Sequence, residues 1–135
     1  EVLVAGLLTS AMLWANYPLT QIYQHEEDAR RGDVTLSAKL GITGTFYFCA
    51  SVFTFAGGGF LLYFRIYHDP FYAWMFLLAL LPVLAYFFYW YLLILKSWKN
   101  ADYTHTMRLT LISGICLNAF FLYLFLDKSQ ILQVL

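Results

Sequence analysis

The sequence predicts an all-α fold, a polytopic membrane bundle of about four spanning helices, on three observations. Of 135 residues, 61% are hydrophobic and only 12% are charged, whereas soluble domains carry about 45–50% apolar and about 25% charged residues. The mean hydropathy is +0.65. Four stretches contain no Asp, Glu, Lys or Arg and reach or approach the ~20 residues needed to cross a bilayer. Lipid offers the backbone no hydrogen-bond partner, so each stretch must close its own bonds as a helix. The alternation of a barrel strand is missing: Phe76-Leu-Leu-Ala-Leu-Leu81 is apolar on every side. Eight Lys+Arg balance eight Asp+Glu, which excludes a basic nucleic-acid binder, and the apolar content excludes a disordered tail.

The first span runs from Val2 to about Tyr23 and contains Pro18, which removes a helical hydrogen bond and predicts a kink. A charged loop over 24–39 follows. The second span, about 40–64, carries Gly57-Gly58-Gly59, read as a close helix–helix contact because small residues let backbones approach. Arg65 to Asp69 form a short turn before Pro70, which suits a first helical position. The third span, about 70–95, holds Pro82 and the aromatic run Tyr86 to Tyr91, whose rings cover every side of a helix and are assigned to packing and lipid contact. After a loop over 96–108, the fourth span covers about 109–126. Asn16 and Asn118 lie within spans and are expected to hydrogen-bond between helices. Cys49 and Cys116 are far apart, with no metal spacing, and read as free thiols. The whole of 1–135 forms one membrane domain. The chain starts at Glu1 without Met, basic n-region or cleavage site, and is expected to be a piece of a longer polypeptide.

With four spans, the loops at 24–39 and 96–108 share one side. They carry Arg30, Arg31, Lys39, Lys96, Lys99 and Arg108, against Arg65 and Lys128 on the other. Basic residues accumulate on the cytoplasmic side, so both loops are expected to be cytoplasmic and both termini of the segment opposite.

The first loop carries the chemistry. If the first helix continues through Asp28, a rotation of 100° per residue places Tyr17, Gln21, Gln24 and Asp28 within roughly 60° of arc. That is a polar stripe descending from the membrane into Glu26, Glu27, Asp28 and Asp33. Polar groups inside a membrane are costly and mark functional sites. Hard oxygen ligands on one face suit Mg²⁺, which takes one or two carboxylates and completes its shell with water and phosphate oxygens. Arg30, Arg31 and Lys39 suit phosphate oxygens. A solvated, mixed-charge loop is the plainer alternative.

The run Gln24-His-Glu-Glu-Asp28-Ala-Arg-Arg-Gly32-Asp-Val-Thr35-Leu36-Ser-Ala-Lys39-Leu-Gly41 resembles the second aspartate-rich motif of the UbiA superfamily of intramembrane prenyltransferases. The spans that follow resemble the C-terminal portion of its nine-helix fold, so the resemblance covers nearly the whole chain. It implies transfer of a prenyl group from a prenyl diphosphate to an acceptor, often an aromatic ring. Two acidic motifs, one in each half, would bind Mg²⁺ and the diphosphate at the cytoplasmic side. Aligned on Gly32, the family's second aspartate falls on Asp28 and its first on Gln24, which is not acidic, leaving Glu27 or Glu26 to substitute. The resemblance thus gives Asp28, Glu27, Glu26 and Asp33 as metal ligands or groups supporting them, and Asp28 and Glu27 as catalytic, to which the polar stripe adds Tyr17. Gln21, Gln24, Arg31 and Lys39 would bind substrate, and Thr35 and Leu36 would start the second spanning helix. The family's first motif is missing and is expected upstream, in an N-terminal half without which this chain is inactive. Metal would offset charge on the departing diphosphate, and aromatic faces would stabilise the resulting allylic cation.

Two other classes compete. A non-catalytic assembly module would bind no diphosphate even when joined to its partner half. A small transporter or channel would use the polar stripe as an ion path, and predicts polar residues deep in the third and fourth spans, where few occur.

Overall fold

The computed structural model describes residues 1–129; residues 130–135, included above in the single domain, lie outside the described residues. Among the described residues every regular element is helical: α1 (Val2–Gln21), a 3₁₀ turn (Ile22–Gln24), α2 (His25–Arg31), α3 (Leu36–Tyr67), α4 (Pro70–Lys96), a second 3₁₀ turn (Trp98–Asn100) and α5 (Tyr103–Lys128). α1, α3, α4 and α5 are each long and apolar enough to cross a membrane, consistent with a multi-pass integral membrane protein.

Local chemistry sets the helix ends. Thr35 caps α3 by accepting the Ala38 N–H at 3.2 Å. Asp69 caps α4 by accepting the Phe71 N–H at 2.8 Å, with Pro70 as its first residue. Asp102 caps α5 by accepting the His105 N–H at 2.8 Å. Such caps satisfy amide donors that have no partner within the helix. They also start α3 and α5 earlier than hydropathy alone predicts, at Leu36 and Tyr103.

Charge content predicts a loop over 24–39, but the chain is helical to Arg31 and again from Leu36. Glu26 and Glu27 four residues before Arg30 and Arg31 favour a helix there. Gly32 ends α2 at φ 77°, with Asp33 N–H donating to Asp28 O at 2.9 Å and Gly32 N–H to Ala29 O at 3.3 Å. This is the double-bonded C-terminal turn that a left-handed glycine permits.

α1 packs chiefly against α3 and α5 against α4; α3 and α4 join the two pairs, while α1 and α5 touch only sparsely. A Cβ at Gly59 would strike the Leu8 side chain, so that glycine serves the close approach of α1 and α3 expected of the triplet. Two apolar clusters hold the bundle. Near the α2 end, Phe46 lies against Phe87, Trp90 and Tyr91 with ring centroids 5.0–5.2 Å apart. Towards the other end Phe60, Phe64, Phe76 and Phe120 interlock. Lipid is as apolar as these rings, so van der Waals packing and ring geometry favour the contacts, at about 0.5–1.5 kcal/mol per aromatic pair.

α3 contains one break. Gly41 sits at φ 67° and ψ 173°, separating Leu36–Leu40 from the long span below. Side chains are essentially excluded from that conformation. Gly41→Ala is expected to destabilise the folded protein by about 1–3 kcal/mol, checked by equilibrium unfolding in mixed micelles; an unchanged midpoint would show the break to be dispensable.

Candidate functional site

The α2 end of the bundle collects the polar groups predicted from the sequence, but not on one face. Gln21 ends α1, and the 3₁₀ turn that follows advances about 120° per residue, which twists the stripe. Asp28 turns inward and is only 5% exposed. Gln21 and Gln24 are half-buried, and the Gln24 amide donates to the Tyr23 hydroxyl at 3.1 Å. Tyr17 points outward, 60% exposed.

The four acids diverge. Glu27 pairs with Arg31 at 2.9 Å and Glu26 lies 3.9 Å from Arg30, both on the exposed side of α2. Arg31 also stands 4.0 Å from Asp28 Oδ1 and 3.9 Å from Asp33 Oδ2, so one guanidinium faces three carboxylates. The pairs of Glu26, Glu27 and Asp33, which are exposed, contribute about 0–1 kcal/mol each. Lys39 is exposed beyond the Thr35 cap. Among the described residues no three His, Cys, Asp or Glu side chains converge on a metal position.

Asp28 differs in kind. Its Oδ2 is buried without a hydrogen-bond partner among the described residues, as is Gln21 Oε1. A carboxylate taken from water without full pairing costs several kcal/mol. Mg²⁺ needs only one or two protein carboxylates when phosphate oxygens and water fill its shell. The donor set therefore fits one ligand, Asp28; Glu26, Glu27 and Asp33 fit only after leaving their arginine partners.

A second polar feature gives no signal in the sequence. His25 Nε2 lies 2.6 Å from Ser37 Oγ, and Thr45 Oγ1 donates to Ser37 Oγ at 3.2 Å and to Gly41 O at 2.8 Å. Ser37 and Thr45 are fully buried. In an unbroken helix residues eight apart lie two turns from each other; the Gly41 break folds them together. His25 thus ties α2 to the first turn of α3. Ser37→Val leaves His25 Nε2 without its partner and Thr45 with only its bonds to backbone oxygens, and is expected to cost about 1–3 kcal/mol. Thermal unfolding followed by circular dichroism reads this, and an unshifted transition would remove the chain's structural role.

The connection between α4 and α5 lies at the same end. Tyr103 meets Tyr23 edge-on at 5.3 Å, Trp90 Nε1 donates to Asn100 O at 2.7 Å, and the Asn100 amide donates to Leu93 O at 2.7 Å. Asp102 holds His105 Nδ1 at 3.0 Å as well as its backbone N–H. Burial would raise the Asp102 carboxyl, but the backbone N–H and ring of His105 outweigh it and hold the group below the ordinary carboxylate range. With the folded value depressed, the unfolded chain binds more protons on the acid side. The stabilisation is present above the unfolded value and is lost as pH falls through the folded one. Asp102→Asn, which keeps a capping oxygen, is expected to remove this part of the acid sensitivity; an identical acid-unfolding profile would contradict it.

Comparison with known protein families, curated proteins and solved structures finds no match to this chain.

Proposed function

We propose that this chain supplies one half of a magnesium-dependent diphosphate site for prenyl transfer in a membrane, with Asp28 as its principal ligand. One observation carries the reading: a carboxylate only 5% exposed, one oxygen of it unpartnered among the described residues, on the short helix that directly follows the first long apolar one. Nature rarely leaves such a group unpaired without a use for it. The spacing from Gln24 to Gly41 supplies the chemistry by its resemblance to the UbiA motif.

Bound Mg²⁺ would lend positive charge to a diphosphate leaving group. The chain's own residues do the rest. Asp28 presents an oxygen towards the interior. Arg31 and Lys39, on the exposed side of the same end, offer donors to phosphate oxygens once Arg31 trades a carboxylate for a phosphate. The His25–Ser37–Thr45 chain holds α2 against α3 and so fixes the distance between Asp28 and Lys39. The first acidic motif would come from the N-terminal half that the resemblance implies, and the acceptor is a separate small molecule, with this end of the bundle on the cytoplasmic side.

The test is binding of farnesyl diphosphate to the full-length protein in nanodiscs, with and without Mg²⁺. Asp28→Asn is expected to weaken binding at least about tenfold, a loss of ~1.4 kcal/mol or more, while Asp102→Asn leaves it unchanged. Gln24→Asp is expected to tighten the Mg²⁺ dependence. Absence of binding by folded protein would favour the assembly module, to which the largely uncovered apolar surface of α5 is suited.

A further inference from the structure

Between the two aromatic clusters lies a cavity of about 380 Å³, walled by all four long helices. A dry cavity of about 150 Å³ already accepts benzene, so this one has room for a ring and a chain. Its apolar wall includes Met12, Phe53, Phe60 and Phe87. Among the described residues no Asp, Glu, Lys, Arg or His lines it.

Polar side chains do line it, all of them on α1 and α5. Asn118 donates to Gly114 O at 2.7 Å, Thr9 to Ala5 O at 2.9 Å and Thr110 to Thr106 O at 3.0 Å, each satisfied within its own helix. Asn118 therefore does not bridge helices, contrary to expectation. Asn16 and Ser113 also line the cavity, half-buried, and neither side chain makes a hydrogen bond among the described residues. The reading of Asn16 as an interhelical bridge is likewise overturned. An amide and a hydroxyl in hydrocarbon retain a desolvation cost until something pairs with them.

We infer that this cavity binds an uncharged lipophile bearing a hydroxyl or carbonyl on a ring, with Asn16 and Ser113 pairing to that head group. A carboxylate or phosphate would be buried with no cation to meet it. A cationic ligand would find no acid. A plain hydrocarbon would fill the space but leave Asn16 and Ser113 unpaired. A neutral head group with a chain satisfies both wall and polar pair. The inference is independent of the diphosphate reading, because Asn16 lies twelve residues before Asp28, roughly 18 Å along a helix axis, and shares no residue with that site.

The experiment uses the full chain in phosphatidylcholine nanodiscs and a diazirine-bearing alkylphenol as photolabel, with labelled peptides identified by mass spectrometry. Competitors are 4-heptylphenol, 4-heptylbenzoate and heptylbenzene, each expressed per mole dissolved in the bilayer. Label is expected on the peptides holding Asn16 and Ser113, displaced by the phenol at about tenfold lower concentration than by either of the others. Asn16→Leu and Ser113→Ala are each expected to erase that preference, while Ser10→Ala, outside the cavity, preserves it. Ser113→Ala is the milder change and decides the matter if Asn16→Leu fails to fold. Equal potency of the three competitors, a preference for the benzoate, or a phenol preference that survives both cavity variants would overturn the inference.

Discussion

Hydrocarbon cannot hydrogen-bond, and the rest of this structure depends on that. Each long segment must close its own backbone bonds, so α1, α3, α4 and α5 are helices and irregular backbone is confined near their ends. The Gly41 break lies five residues inside α3, where its carbonyl is met at once by Thr45 Oγ1. Pro18 and Pro82 each withhold one donor but remain inside continuous helices. The caps at Thr35, Asp69 and Asp102 perform the same service at helix starts.

The same constraint sorts polar side chains by consequence. Glu26, Glu27, Arg30 and Arg31 sit where water screens them, so their pairs contribute little whichever way they point. Asp28, Gln21, Ser37 and Thr45 turn inward, where an unmet oxygen is expensive. Ser37 and Thr45 meet each other and His25. Asp28 and Gln21 each keep one oxygen unmet among the described residues, and this difference separates the paired part of the α2 end from the unpaired part.

Helical periodicity predicted the site only in part. It brought Asp28 towards the interior, but the turn at Ile22–Gln24 changed the rotation per residue and left Tyr17 facing outward. It could not pair Ser37 with Thr45, because that contact exists only across a left-handed glycine. Asn16 and Asn118 are visible in any reading of the spans; their purpose is not, since sequence does not tell which helix faces which, and both line the cavity walled by all four long helices.

The sequence by itself determined that the chain is a bundle of four long apolar helices, because composition decides whether a segment can satisfy its backbone in lipid without help from its neighbours. It also determined where the charged end lies, since charges cannot remain in hydrocarbon unpaired. Tertiary structure alone decided that an oxygen of Asp28 is buried without a partner among the described residues, which hydroxyls meet across a broken helix, and which polar side chains line a cavity between helices. Those outcomes depend on contacts between segments distant in sequence, set by how Gly59 admits Leu8 and how the Phe46 and Phe60 clusters interlock.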